Sequence, residues 1–254
     1  MTNIYIFILG LAVGISINYL ADVLPIKRRL VHPFCLSCGT EQGPFNYFIW
    51  PRRCESCGMR RSLRTWIVEI VFSLAAVWLW NSPPESLGFL VGVVVLAFLG
   101  LVAIIDLEHR LILHPVSLVG AGLGAAVGIW INGTRNTLIG GLFGFAIMLA
   151  LYYFGAILMG WLARKRGQVL EEEALGFGDV ILSGVIGLLL GWPGIMVGLI
   201  LTILISGIVS FIYLLLKIFT RKYRFDMAIP YGPFLISAAI LLLYFRDFVL
   251  KFLG

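Results

Sequence analysis

Two aspartates stand where an apolar chain least tolerates them. Asp106 closes the apolar run 88–105, and Asp179 opens the run 180–192. A carboxylate inside a membrane costs about 2.5–3.5 kcal/mol on insertion scales, so each is a candidate for chemistry by default. Asp179 ends the tetrapeptide Gly176-Phe177-Gly178-Asp179. The two glycines would let an extended substrate backbone come close, and a helix starting there would favour an anion at its N-terminus. Peptide hydrolysis asks for two acids: one takes a proton from water while the other gives one to the carbonyl oxygen or the leaving amine. Neighbouring carboxylates do this by sharing a proton, because like charges side by side do not both ionise cheaply. The plainer alternative makes each aspartate a helix cap or a side chain facing interfacial water. Two such positions beside these glycines argue instead for an aspartic-type endopeptidase with Asp106 and Asp179 as its dyad.

A second cluster is metal chemistry. The pairs Cys35-x-x-Cys38 and Cys54-x-x-Cys57, each closed by a glycine (Gly39 and Gly58), are separated by fifteen residues and contain every cysteine of the chain. Two such knuckles bring four thiolates to one tetrahedral zinc, with each closing glycine making the tight turn that aims backbone N–H groups at sulfur. Two disulfides are the alternative, and a reducing compartment disfavours them. With all four positions taken by cysteine, zinc here is structural rather than catalytic.

Other polar residues sit in apolar surroundings. Glu69, early in an apolar run, needs a partner; Arg64, one turn before it, is the candidate, and a functional carboxylate or a snorkelling interfacial pair are both open. Asn18 either binds a polar substrate segment or joins helices by hydrogen bonds. His109 and His114 read as solvated loop residues. Trp66, Trp78, Trp80, Trp130, Trp161 and Trp192 read as interfacial belts rather than stacking platforms. Glu171, Glu172 and Glu173 form a solvated acidic run.

These groups must be positioned by helices in a bilayer. The chain is 60% hydrophobic and 13% charged, against roughly 45–50% and 25% for a soluble domain. The expected fold is all-α, a polytopic membrane protein of about eight transmembrane helices with a small cytoplasmic zinc-knuckle segment. Spans are expected at 4–24, 66–80, 88–105, 116–131, 138–162, 180–190, 194–216 and 230–249, several close to the ~20 residues needed to cross. The first is not read as a cleaved signal peptide, since it lacks a basic start and small-residue cleavage spacing. Loops 81–87 and 132–137 are short and turn-like, and no internal repeat stands out. The division is 1–25 as the first transmembrane helix, 26–65 as the cysteine segment, and 66–254 as the transmembrane peptidase domain.

Sixteen of the 19 Lys and Arg fall in segments 25–65, 106–115, 163–178 and 217–229. That bias puts the N-terminus outside, with the cysteine segment and both aspartates at the cytoplasmic face. It also sets aside nucleic acid as a partner, because basic residues hugging span ends are explained by topology, with the lipid bilayer as their neighbour.

At the level of motifs the chain resembles the prepilin peptidases, or type IV leader peptidases. The segment 105–110 around Asp106 is similar to that of the family's first catalytic aspartate, and Gly176-x-Gly178-Asp179 to its GxGD. Asn18 with Leu24-Pro25, the paired knuckles followed by Arg64 and Glu69, and Pro230-Tyr231-Gly232-Pro233 complete the likeness in order. The resemblance implies a plasma (inner) membrane enzyme of a prokaryote that cleaves prepilin or pseudopilin precursors after glycine at the cytoplasmic face. It implies for many members a second activity, N-methylation of the new terminus with S-adenosylmethionine. The chain departs at Ile181, where the family usually has Lys, and at Leu113, where a Pro usually follows, with Pro115 displaced. It departs also in the short, apolar-aromatic link between the cysteine pairs. That link leaves few polar groups for a charged cofactor, so methyl transfer is expected to be weak or missing while the peptidase stands. A proton-coupled transporter with the aspartates as a relay predicts midplane carboxylates and inverted repeats, neither of which is found. An inactive assembly scaffold would have no need of both aspartates.

Overall fold

The computed structural model describes residues 2–49, 51–166, 176–219 and 230–246; Trp50 and the acidic run at 171–173 lie outside them. The described chain is helical, in the order α1 Thr2–Lys27, α2 Pro44–Phe48, α3 Leu63–Asn81, α4 Gly88–His109, α5 His114–Arg166, α6 Phe177–Leu190, α7 Gly194–Phe219 and α8 Gly232–Tyr244. Five helices are long and apolar enough to cross a membrane, and α6 and α8 are shorter apolar helices. The protein is a polytopic all-α membrane protein. Two expected spans, 116–131 and 138–162, lie within α5. The turn expected at 132–137 contracts to one residue, Gly133, whose φ of 77° leaves the helical region while its neighbours keep it. A side chain there would resist this left-handed conformation; glycine does not.

By compactness the chain divides into Met1–Leu111 and Ile112–Gly254. In the first unit α1 and α3 pack antiparallel with almost no gap. A Cβ on Gly10 would stand 2.6 Å from the Cα of Ser73, and one on Gly14 would stand 2.8 Å from the Cα of Glu69. Small residues four apart allow this approach, the usual basis of helix association where lipid removes the hydrophobic drive. The same face continues upward: Asn18 donates its amide to the Thr65 carbonyl at 3.0 Å, and Asp22 pairs with Arg61 and Arg64. Every four-residue step along α1 meets a four-residue step back towards the start of α3. Hydrophobic closeness at one end thus becomes a polar seam at the other.

In the second unit α6 is held against both halves of α5. A Cβ on Gly128 would strike the Leu188 carbonyl, and one on Gly144 would stand 2.6 Å from the Ser183 carbonyl oxygen. Ser183 donates to the Gly144 carbonyl at 3.0 Å, and Asn132 donates to that of Leu189 at 3.1 Å. Helix α8 packs on α6 and α7. The short α6 is therefore fixed along its length, and Asp179 sits in its first turn.

Candidate active site and metal centre

The four cysteines converge. Their Sγ atoms all lie within 4.8 Å of one another, with Cys35 3.6 Å from Cys57 and Cys38 3.5 Å from Cys54. A disulfide would need about 2.05 Å. Thiolates about 2.3 Å from a zinc form a tetrahedron with edges of about 3.8 Å, so the donor set and spacing fit that metal. The knuckles are built alike. Cys35 N–H bonds to Thr40 and Cys54 N–H to Met59, both at 2.9 Å, and Gly39 and Gly58 bond back to Cys35 and Cys54. Both glycines take positive φ, 75° and 71°. Bridges Phe34–Glu41 and Arg53–Arg60 flank them. Each position of the first knuckle recurs 19 residues later, as Cys35 and Cys54, Cys38 and Cys57, Gly39 and Gly58. This is an internal repeat that the divergent residues between hide from the sequence. The Cys54 thiol is pulled down to about 5, first by the Cys57 backbone N–H and then by the Thr40 hydroxyl. Thr40 hydrogen bonds likewise lower the Cys38 thiol.

Around this centre runs a network whose hub the sequence reading missed. Asp22, only 4% exposed, accepts the Tyr47 hydroxyl at 2.5 Å and pairs with both Arg61 and Arg64. Arg64 reaches on to Glu108 of α4. Glu69 has a different partner from the one expected: its Oε2 receives Arg52 Nη1 at 2.8 Å. Arg64 is unsuited to that role because both its terminal nitrogens are engaged by Asp22 and Glu108. Arg52 adopts φ 57°, an uncommon left-handed conformation for a residue with a side chain. It is held there by the Phe48 carbonyl and by the face of Trp66, 4.5 Å from its guanidinium carbon. Trp66, expected to serve only as an interfacial belt residue, is thus a stacking platform for Arg52. The signal for Asp22 was its place four residues beyond Asn18, on the face already carrying Gly10 and Gly14.

Asp106 lies in the last turn of α4, 5% exposed, and its Oδ2 has no hydrogen-bond partner among the described residues. The helix stops four residues on, where Arg110 takes φ 50° and its N–H caps the Asp106 carbonyl. Asp179, 9% exposed, occupies the N-terminal turn of α6, where its backbone N–H bonds to the Gly176 carbonyl at 3.0 Å. A Cβ on Gly176 would stand 3.6 Å from Asp179 Oδ2. The carboxylate therefore folds back over the helix start, where the exposed N–H groups and the helix dipole favour it. Gly178 has a packing reason instead: a Cβ there would lie 2.8 Å from the Ile112 Cβ. Its open side is filled by that isoleucine, so the expected room for substrate rests on Gly176. Tyr231, at the start of α8, lies within electrostatic reach of Asp179.

The chain is thus a helical membrane protein with a buried carboxylate at a helix end in each compact unit and a four-thiol centre. Residues 93–215 match the family model described as type IV leader peptidase. A prepilin leader peptidase/N-methyltransferase of Myxococcus xanthus is 28% identical across 84% of this chain and 63% of its own length. One of Aeromonas hydrophila is 25% identical, covering 91% and 77%. A type 4 prepilin-like proteins leader peptide-processing enzyme of Escherichia coli is 30% identical, covering 76% and 66%. The chain belongs to the type IV leader peptidase family. It spans less than two thirds of the length of the Myxococcus xanthus and Escherichia coli relatives, and no solved structure matches it significantly.

Proposed function

We propose that the protein is an aspartic endopeptidase of the inner membrane of a prokaryote, cutting the leader from prepilin or pseudopilin precursors at the cytoplasmic membrane face. The observation that carries this reading is the pair of buried carboxylates at helix ends in a chain of this family, one of them with a carboxylate oxygen left without a partner. Asp106 and Asp179 form the dyad. One, ionised, takes the proton of the attacking water; the other, protonated, donates to the carbonyl oxygen and then to the leaving amine. Gly176 admits the extended substrate. Asn18 and Glu69, with Arg64, hold the helices and the cysteine segment rather than the scissile bond. Zinc on Cys35, Cys38, Cys54 and Cys57 orders residues 26–65.

A second activity is favoured by a cavity of about 370 Å³ beside the thiol centre, lined by polar and apolar groups. S-Adenosylmethionine, when bound, would supply a sulfonium methyl group. Polar lining groups of Asp22, Arg60 and Arg64 would hold it, and its methyl group would go to the new terminal amine.

The decisive experiment is mass spectrometry of a co-expressed pilin precursor. Wild-type chain should give a product cut after glycine, and its mass reports any added methyl group. At matched membrane levels Asp106→Asn and Asp179→Asn should each leave the precursor intact, at least 10²-fold below wild type. Comparable cleavage by either variant removes the dyad.

A further inference from the structure

We infer that the link between the two cysteine pairs is a membrane-surface anchor. Helix α2 lies in the headgroup region of the leaflet at the Lys27 end of α1, with Phe45 and Ile49 against the acyl chains of its phospholipids. The stretch from Pro44 to Trp50 carries no charge, although the segment around it is polar and basic. Its inner side is accounted for. Tyr47 is 3% exposed and bonds to Asp22, and the rings of Tyr47 and Phe48 lie 6.3 and 5.8 Å from that of Tyr19 in α1. Its outer side is not. Phe45 and Ile49 stand one turn apart, joined by a bond from the Ile49 N–H to the Phe45 carbonyl at 2.9 Å, and are 64% and 60% exposed. Large apolar side chains gathered on a surface mark a place of interaction.

The contacts of the link set its depth. After α1 the chain reverses at Arg28, where φ is 54°, and runs back along the helix, so that the Tyr19 hydroxyl donates to the Val31 carbonyl at 2.6 Å. Tyr19 stands five residues before Leu24, where the apolar run of α1 ends, or about 7.5 Å inside that end at 1.5 Å per residue. Arg52 reports a similar level on α3. It pairs with Glu69 and lies over Trp66, and Glu69 is about 4.5 Å inside the apolar run that starts at Trp66. Amphipathic helices lying on a bilayer sit about 5–10 Å into the headgroup–acyl boundary. That is the level at which α2 is held. Through Arg52 and Trp66 its outer side adjoins Leu63, Ile67 and Ile70, the exposed apolar stripe of α3, so the face continues one that lipid already covers. Charge agrees with this occupant. Arg28, Arg29 and Arg53 are exposed and make no ion pair with the described residues, and basic groups at this level draw anionic headgroups. A five-residue helix by itself would bind weakly, but α1 and α3 hold it at the surface and make its insertion intramolecular.

The test is photo-crosslinking of the zinc-loaded full-length chain in vesicles of phosphatidylethanolamine and phosphatidylglycerol carrying radiolabelled acyl chains. The photoreactive residue p-benzoylphenylalanine is placed singly at Phe45, at Ile49, and at the exposed knuckle positions Glu41 and Ser56. Lipid adducts at 45 and 49 should exceed those at 41 and 56 by at least about fivefold. Equal labelling at all four positions, or adducts at 45 and 49 with a second copy of the chain in place of lipid, would overturn the anchor. Hydrogen–deuterium exchange supplies a readout free of the probe. In the same vesicles Phe45→Ser combined with Ile49→Ser should speed exchange of the Tyr47 and Ile49 amides at least about tenfold, because α2 loses its hold on the bilayer. A water-facing α2 would exchange no faster with serine at these positions, and that result also refutes the inference. Zinc content at the wild-type level shows that the thiol centre of each variant is intact.

Discussion

Replacing Asp22 by Asn keeps the shape of the side chain and removes its charge from the middle of the network. Two guanidinium groups, of Arg61 and Arg64, and the Tyr47 hydroxyl lose a carboxylate that is 4% exposed. Breaking a buried ion pair by removing one partner costs about 3–5 kcal/mol. The lower end applies here, because the arginines are 13% and 18% exposed and keep other contacts. Arg61 stays over the Tyr47 ring at 3.9 Å, and Arg64 keeps Glu108. A loss of about 3 kcal/mol corresponds to roughly a hundredfold rise in local opening. Hydrogen–deuterium exchange reads this directly. In Asp22→Asn the amides of Tyr47 and Thr65, bonded at 3.1 Å to Gly43 and Ser62, should exchange about a hundredfold faster. Amides in the middle of α6 should be unchanged, since that helix belongs to the other compact unit. Arg61→Gln should give a smaller acceleration, because Arg64 and Tyr47 remain on Asp22. Protection of the cysteine segment indistinguishable from wild type in Asp22→Asn would refute the hub.

Metal analysis of chain purified without chelator should give about one zinc per chain, and Cys54→Ser with Cys57→Ser should reduce it to near zero; a stoichiometry near zero in the unmodified protein counts against the site. Gly178→Ala should destabilise the start of α6 by about 1–3 kcal/mol through overpacking against Ile112. Adding Ile112→Ala should restore thermal stability in detergent; if the double variant is as unstable as the single, the contact is not the cause.

Much of this architecture could be read from the chain before its structure, and the reasons differ from element to element. The apolar blocks announce their helices because a bilayer demands long uninterrupted runs. The cysteines announce their centre because tetrahedral coordination leaves few spacings. The partner of Glu69 could not be read in this way. Arg64 is close in sequence, but Arg52 arrives through a left-handed backbone position that no local pattern specifies. Gly178 was assigned to substrate because glycine beside aspartate has a functional look. What decides its size is Ile112, 66 positions away along the chain. Register between distant segments is the information a single sequence withholds.

Asp22 shows how that information could have been partly recovered. Gly10, Gly14, Asn18 and Asp22 recur every fourth residue, and each meets α3 or the residues leading into it. A helix face that begins as a close-packed glycine seam and ends in a carboxamide and a carboxylate must find donors on its partner. The basic residues at 61 and 64 are the nearest supply. Once Asp22 is accepted as part of that face, the cysteine segment is no appendage to the membrane helices. Tyr47 and Arg61 tie it to α1, Arg52 ties it to Glu69 of α3, and Arg64 carries the connection to Glu108, two residues beyond Asp106. The thiol centre and the first aspartate therefore share one scaffold. A metal held by the four thiols would therefore support the folding of the same unit that carries Asp106 on α4.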